Sequence, residues 1–138
     1  MDSLATMQPR LIEFSQLGDP TTGFMTVAAN SALPFCIQRV YWTYSVAEDV
    51  IRGHHAHREL EQIIFAVAGT IEFTLESVYG QQTIYHLNRP GLGLYIPRHY
   101  WRTIKFSPDA VLMCLASLEY TEEEYIRDYD EFKRLASK

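Results

Sequence analysis

Ile71, Phe73 and Leu75 alternate with Glu72, Thr74 and Glu76, the period-two pattern of a strand with one apolar and one polar face. Around this segment the chain is a series of short runs rich in β-branched and aromatic residues, at 61–68, 83–87, 92–97, 100–106 and 111–117. Earlier runs lie at 11–17, 24–29 and 35–44, the last reading F-C-I-Q-R-V-Y-W-T-Y. Turn clusters divide them: G-D-P-T-T-G, N-S-A-L-P, S-V-Y-G-Q-Q, N-R-P-G and S-P-D-A. Strands recurring roughly every 8–12 residues with turn signals between them predict an all-β sandwich or barrel.

The period changes near the end. In T-E-E-E-Y-I-R-D-Y-D-E-F-K-R-L, Tyr125, Tyr129 and Phe132 recur at helical spacing, and Thr121 with three glutamates suits a helix start. Lys133 and Arg134 suit its end. This predicts one terminal α-helix over about 121–136, packed on the barrel. Residues 1–10 read as a flexible lead-in, and residues 1–138 as a single domain without internal repeats.

Composition narrows the function classes. The chain has 138 residues, 47% hydrophobic and 21% charged, as expected of a globular protein with a real core. Its net charge of −5 argues against broad nucleic-acid binding, which needs a basic surface, but allows a small anion held by a few arginines. Both cysteines, Cys36 and Cys114, sit in apolar runs and are expected to be buried free thiols. No run approaches the length of a membrane span, and the N-terminus lacks the pattern of a signal peptide. A cytoplasmic protein is the expectation.

The chemistry concentrates in R-G-H-H-A-H-R-E-L-E-Q, residues 52–62, which holds three of the five histidines. On a strand His55 and His57 share a face and His54 takes the other. Two imidazoles then enter one cavity, and Glu61 follows a short turn later. Three readings stand at this point: a metal nest, a pair of acid/base catalysts, or a structural histidine turn.

H-x-H-x-x-x-E followed by Gly69 resembles the first motif of the cupin superfamily, the small jelly-roll barrels. In metal-binding cupins a later motif adds another histidine. Here that slot, in G-L-G-L-Y-I-P-R-H-Y-W-R, holds Arg102, with His99 three positions earlier. A guanidinium offers donors and no lone pair, which counts against a metal.

The resemblance is closer to one cupin family. P-F-C-I-Q-R-V-Y-W, R-G-H-H-A-H-R-E-L-E-Q, G-L-Y-I-P and Y-I-R-D-Y-D-E-F together are similar to the sugar-nucleotide 3,4-ketoisomerases, over roughly residues 34–135. This resemblance implies a cupin jelly roll and a homodimer. It also implies no cofactor, no metal, and a dTDP-linked keto sugar as substrate, in deoxy- and amino-sugar pathways such as those of lipopolysaccharide O-antigens. The implied reaction moves the ketone of dTDP-4-keto-6-deoxyglucose from C4 to C3 through an enediol. His55 is then expected as the main base, His57 as its partner or proton donor, and Tyr41 as a hydroxyl donor.

Arg39, Arg52 and Arg102 are the candidates to bind the pyrophosphate, since a planar fork pairs with two oxygens. Tyr95 and Trp101 are candidates to stack on the thymine base, beside an ordinary packing role. Gln62 is expected to line the cavity next to the histidines. The chain departs from the family pattern in three places. Thr22-Gly23 stands where an arginine-glycine pair is usual. The next strand ends V-A-A where glutamates are usual, and Trp101-Arg102 replaces a W-H pair. Altered product configuration, a different nucleotide sugar, and a non-catalytic sugar-nucleotide binder stay open beside the ketoisomerase reading, with a metal-dependent cupin behind them.

Overall fold

The computed structural model describes residues 7–137. Most of the expected lead-in, residues 1–6, lies outside the described residues, and regular structure starts at Arg10. The chain forms β1 (Arg10–Glu13), β2 (Gln16–Asp19), β3 (Gly23–Thr26), β4 (Arg39–Tyr44), β5 (Ile51–His57) and β6 (Gln62–Ala68). It continues through β7 (Ile71–Glu76), β8 (Gln82–Leu87), β9 (Leu92–Ile96), β10 (Trp101–Phe106) and β11 (Val111–Ala116). A two-residue β12 (Tyr125–Ile126) and one short helix, α1 (Tyr129–Lys133), follow.

Two five-stranded antiparallel sheets, β1-β9-β6-β11-β4 and β12-β5-β10-β7-β8, face each other as a cupin jelly roll, and β2–β3 is a separate hairpin. Strand alternation builds the core between them. Ile71, Phe73 and Leu75 from β7 meet Ile64 and Ala66 from β6 and Leu112 and Cys114 from β11, all buried. Burying such side chains is worth about 1.5–3 kcal/mol each and drives the two sheets together. A second apolar layer covers the outer side of the first sheet: Ile63, Phe65, Tyr95 and Leu115 are packed over by Phe14, Leu33, Phe35 and Ile37.

Four expectations needed correction. The run at 11–17 is broken, because β1 pairs with β9 and β2 turns away into its own hairpin with β3. The run at 35–44 is a strand only from Arg39, and the residues before it fold over the outer layer. The 121–136 helix is reduced to α1 and flanking 3-10 turns. Here a free sheet edge wins over helical propensity: Tyr125 and Ile126 pair with His57 and Ala56, and Ile126 is fully buried against Phe132. Thr121 makes no side-chain cap, whereas Asp128 caps α1 by accepting from Asp130 N at 2.9 Å and Glu131 N at 3.5 Å. Both cysteines are free as expected, but Cys36 is exposed and only Cys114 is buried.

Candidate active site

A bulge in β5 sets the site. Arg102 of β10 pairs with His55 and Thr103 pairs with Gly53, which leaves His54 as the extra residue. Gly53 adopts φ 97°, and a Cβ there would come within 2.8 Å of the Arg102 carbonyl. The inserted residue resets the strand's parity. Arg52 and His55, an odd number of positions apart, therefore both line one cavity of about 400 Å³. His54 turns away, with Nε2 3.1 Å from the Ile51 carbonyl.

His55 has a defined tautomer. Its Nδ1 lies 2.9 Å from the Gly53 carbonyl, which can only accept, so Nδ1 carries the proton and Nε2 keeps its lone pair. Burial, then the nearby Arg102 guanidinium, push the His55 pKa down to about 3. His57 lies behind it, 1% exposed, with ring centroids 4.9 Å apart. Burial, Arg102 and His55 push His57 down as well, and its Nδ1 is buried without a hydrogen bond. Both imidazoles are thus neutral near pH 7, the form that accepts a proton.

The adjoining wall is a polar network inside the barrel. Gln62 Nε2 donates to the Tyr41 hydroxyl at 3.0 Å and to Cys114 Sγ at 3.3 Å, and Gln62 Oε1 accepts from Arg102 Nη1. Arg102 Nη2 donates to the Tyr100 carbonyl at 3.2 Å, while its Nε is buried without a partner. Burial raises Tyr41 far above the usual phenol range, raises Cys114 to about 11 and lowers Arg102 to about 10. Arg102 therefore stays cationic and Tyr41 keeps its proton at neutral pH.

The C-terminal segment closes one side. The Tyr125 ring sits 4.9 Å from His55 and 4.7 Å from His57. Arg127 lies over that ring at 4.3 Å and pairs with Glu122 at 2.7 and 3.0 Å, and the Tyr120 hydroxyl also donates to Glu122 at 3.0 Å. Just beyond His57, Glu124 Oε1 accepts from the backbone N of Glu59 and of Leu60, both at 2.8 Å. Arg39 of β4, Arg52 of β5 and Arg127, just after β12, all reach the cavity. The site therefore combines neutral bases, a phenol and an excess of cations.

The sequence model of the FdtA family, described as WxcM-like, C-terminal, matches residues 7–137. The chain belongs to the FdtA family. It is 35% identical to the TDP-4-oxo-6-deoxy-alpha-D-glucose-3,4-oxoisomerase of Aneurinibacillus thermoaerophilus, over 96% of this chain and 95% of that one. Among solved structures it is similar to a 3,4-ketoisomerase from Helicobacter canadensis, with TM-score 0.89, 39% identity, and 96% of this chain and 99% of that chain covered. It is equally similar in fold to QdtA, a sugar 3,4-ketoisomerase from Thermoanaerobacterium thermosaccharolyticum solved in complex with TDP, with TM-score 0.89, 35% identity and 94% of both chains covered.

In this FdtA-family chain the fold brings His55, Tyr41, Arg39, Arg52 and Arg102 to one cavity, with His57 and Gln62 directly behind. Gln62 thus supports the cavity wall through Tyr41 and Arg102 instead of lining it. Two candidates are elsewhere. Trp101 has the opposite parity to Arg102 on β10 and packs against Tyr129 and Phe132 under α1. Tyr95 faces the outer apolar layer, where its hydroxyl donates to Glu61 at 2.5 Å. That contact also holds Glu61 away from the histidines. Arg98 is paired with Glu59 at 2.7 Å, and Thr22 sits in the β2–β3 turn, its N–H held by Asp19 Oδ1 at 2.9 Å. Among the described residues no group of three His, Cys, Asp or Glu side chains converges as a metal site.

Tyr120, Tyr125 and Arg127 are polar cavity residues that sequence reasoning missed. The signal was present. Tyr125, Ile126 and Arg127 alternate with period two, so Tyr125 and Arg127 reach the cavity while Ile126 is buried beneath α1. Read at helical period, Tyr125 grouped with Tyr129 and Phe132 instead.

Proposed function

We propose that this chain is a dTDP-sugar 3,4-ketoisomerase that converts dTDP-4-keto-6-deoxyglucose to the 3-keto isomer. The observation that carries the reading is the neutral His55–His57 pair, with His55 lining a cavity rimmed by arginines and His57 buried directly behind it. His55 Nε2 removes the C3 proton, made acidic by the adjacent carbonyl. The C3–H pair becomes the C3=C4 bond, the carbonyl pair moves to O4, and Tyr41 delivers a proton there. The enediol then returns its O3 proton to Tyr41, the C3 ketone forms, and C4 takes the proton held by the histidine pair. Proton count is conserved, and such acid/base steps are worth ~10²–10⁴-fold each.

Arg39 and Arg52 at the cavity mouth suit the diphosphate. An anion there offsets the cationic field that depresses His55, which moves its pKa upward toward the range of an effective base. The position that a cupin metal site would fill with a further ligand is held by Arg102, which has no lone pair to give.

A homodimer in the cytoplasm belongs to the same reading. β4 is an edge strand whose outward face carries Val40, Trp42 and Tyr44 at 44%, 59% and 63% exposure, an apolar stripe suited to a second copy. The test is incubation of the purified protein with dTDP-4-keto-6-deoxyglucose, followed by NMR. A ketone at C3 supports the proposal. Tight dTDP binding without turnover supports a non-catalytic binder, and turnover lost to chelation and restored by a divalent metal supports a metal-dependent enzyme.

A further inference from the structure

Arg102 is 2% exposed, and among the described residues no carboxylate pairs with it. A buried guanidinium normally carries a counter-charge, because removing an ion from water costs several kcal/mol unless it is compensated. Here its partners are neutral: the Gln62 amide oxygen and the Tyr100 carbonyl, with Nε unused. Tyr41 and Cys114, two of the nearby groups able to become anionic, both keep their protons at neutral pH. A ligand that enters the cavity can supply the compensating anion.

Placement separates two sources. Arg52 is exposed and Arg39 half-buried, so both can meet a diphosphate at the mouth. Arg102 is deep, and it is the cross-strand partner of His55. In the reaction proposed above, the carbon that loses its proton to His55 is bonded to the carbon whose oxygen gains charge. A base and a cation side by side match that pair of adjacent atoms.

We propose that Arg102 is a catalytic residue that stabilises the negative charge on O4 of the enediolate, rather than a ligand of the diphosphate. Removal of the C3 proton by His55 sends the carbonyl electron pair to O4. Arg102 holds that charge until a proton arrives from Tyr41, whose buried phenol is a weak acid. Gln62 orients both groups, because it accepts from Arg102 and donates to Tyr41. The cation is fixed before the charge develops, the arrangement in which electrostatic stabilisation is strongest.

The inference rests on the ketoisomerase reading, and the experiment separates the two. If the wild-type protein does not isomerise dTDP-4-keto-6-deoxyglucose, that reading fails first. If it does, Arg102→Met, which keeps bulk and removes charge, is expected to lower kcat ~10²–10³-fold, the usual cost of one oxyanion donor. Its Kd for dTDP should stay within about threefold of wild type, since the diphosphate is held elsewhere, and Arg102→Lys should recover about tenfold in kcat by restoring the charge. Unchanged kcat in Arg102→Met, or a loss of dTDP affinity equal to the loss of kcat, overturns the proposal. Should Arg102→Met not fold, the wild-type protein decides. The Arg102 Nε–H resonance should shift with the keto sugar nucleotide and hold still with dTDP alone, and equal shifts with both overturn the proposal.

Discussion

Tyr125 lies opposite His57 across the β5–β12 pair, and its ring touches both imidazoles. The two catalytic candidates are thereby held by a residue from the far end of the chain. His55 is also held by its Nδ1 contact to the Gly53 carbonyl, whereas His57 Nδ1 has no hydrogen bond, so ring packing by Tyr125 selects the His57 rotamer.

Tyr125→Ala should therefore lower kcat by about 10–100-fold, the range expected when a reacting group is misplaced by around 1 Å. Tyr125→Phe keeps the ring and should stay within about threefold of wild type by the same reasoning. Steady-state kinetics on both variants checks this. Equal losses in the two would assign the function to the hydroxyl instead.

Acid should destabilise the fold through the buried histidines. The folded His55 pKa, about 3, lies below the ordinary imidazole value of ~6.5, and that of His57 is lowered too. In the window between those values the unfolded chain binds protons that the folded chain refuses, so stability rises with pH there and is flat above about 6.5. His99 is lowered as well and adds to the slope. Denaturant melts between pH 5 and pH 7.5, where carboxylates are ionised, should show stability falling as pH drops. His55→Asn should have a shallower slope than wild type, and an identical slope would contradict the assigned burial effect.

The bulge is a single-residue device with a direct test. Gly53→Ala forces a Cβ toward the Arg102 carbonyl at a φ of 97°. It should cost about 1–3 kcal/mol of stability, the scale of local backbone strain, and reduce activity by displacing His55. Thermal and urea melts with a parallel activity assay measure both. A neutral substitution would show that the bulge does not set the cavity.

The jelly roll was legible because strand alternation is a local signal. The strongest run, at 70–76, appears as β7 with the expected parity, and His55 and His57 do share one side. The cavity membership of Arg52 was legible only through the family resemblance. Parity counting places it opposite His55, and the bulge at Gly53–His54 is written in a backbone conformation, not in hydropathy. Trp101 and Tyr95 show the reverse failure. Residue type suggested stacking, while strand parity and the outer apolar layer decided their side. Tyr125 was lost because two periods compete over the C-terminal segment, and the open edge of β5, a tertiary feature, selected the shorter one.

In the proposed mechanism His55 takes the C3 proton of the sugar. The most direct measurement is deuterium incorporation at C3 and C4 of dTDP-4-keto-6-deoxyglucose in D₂O, followed by NMR, with wild-type protein and with His55→Asn. Wild type should shift the ketone to C3, with deuterium entering at C4 to the extent that the histidine-held proton exchanges with solvent. His55→Asn should lose at least ~10²-fold in both, with dTDP binding retained. Wild-type protein that neither exchanges deuterium nor shifts the ketone, or a His55→Asn variant that shifts it at the wild-type rate, would contradict this role of His55.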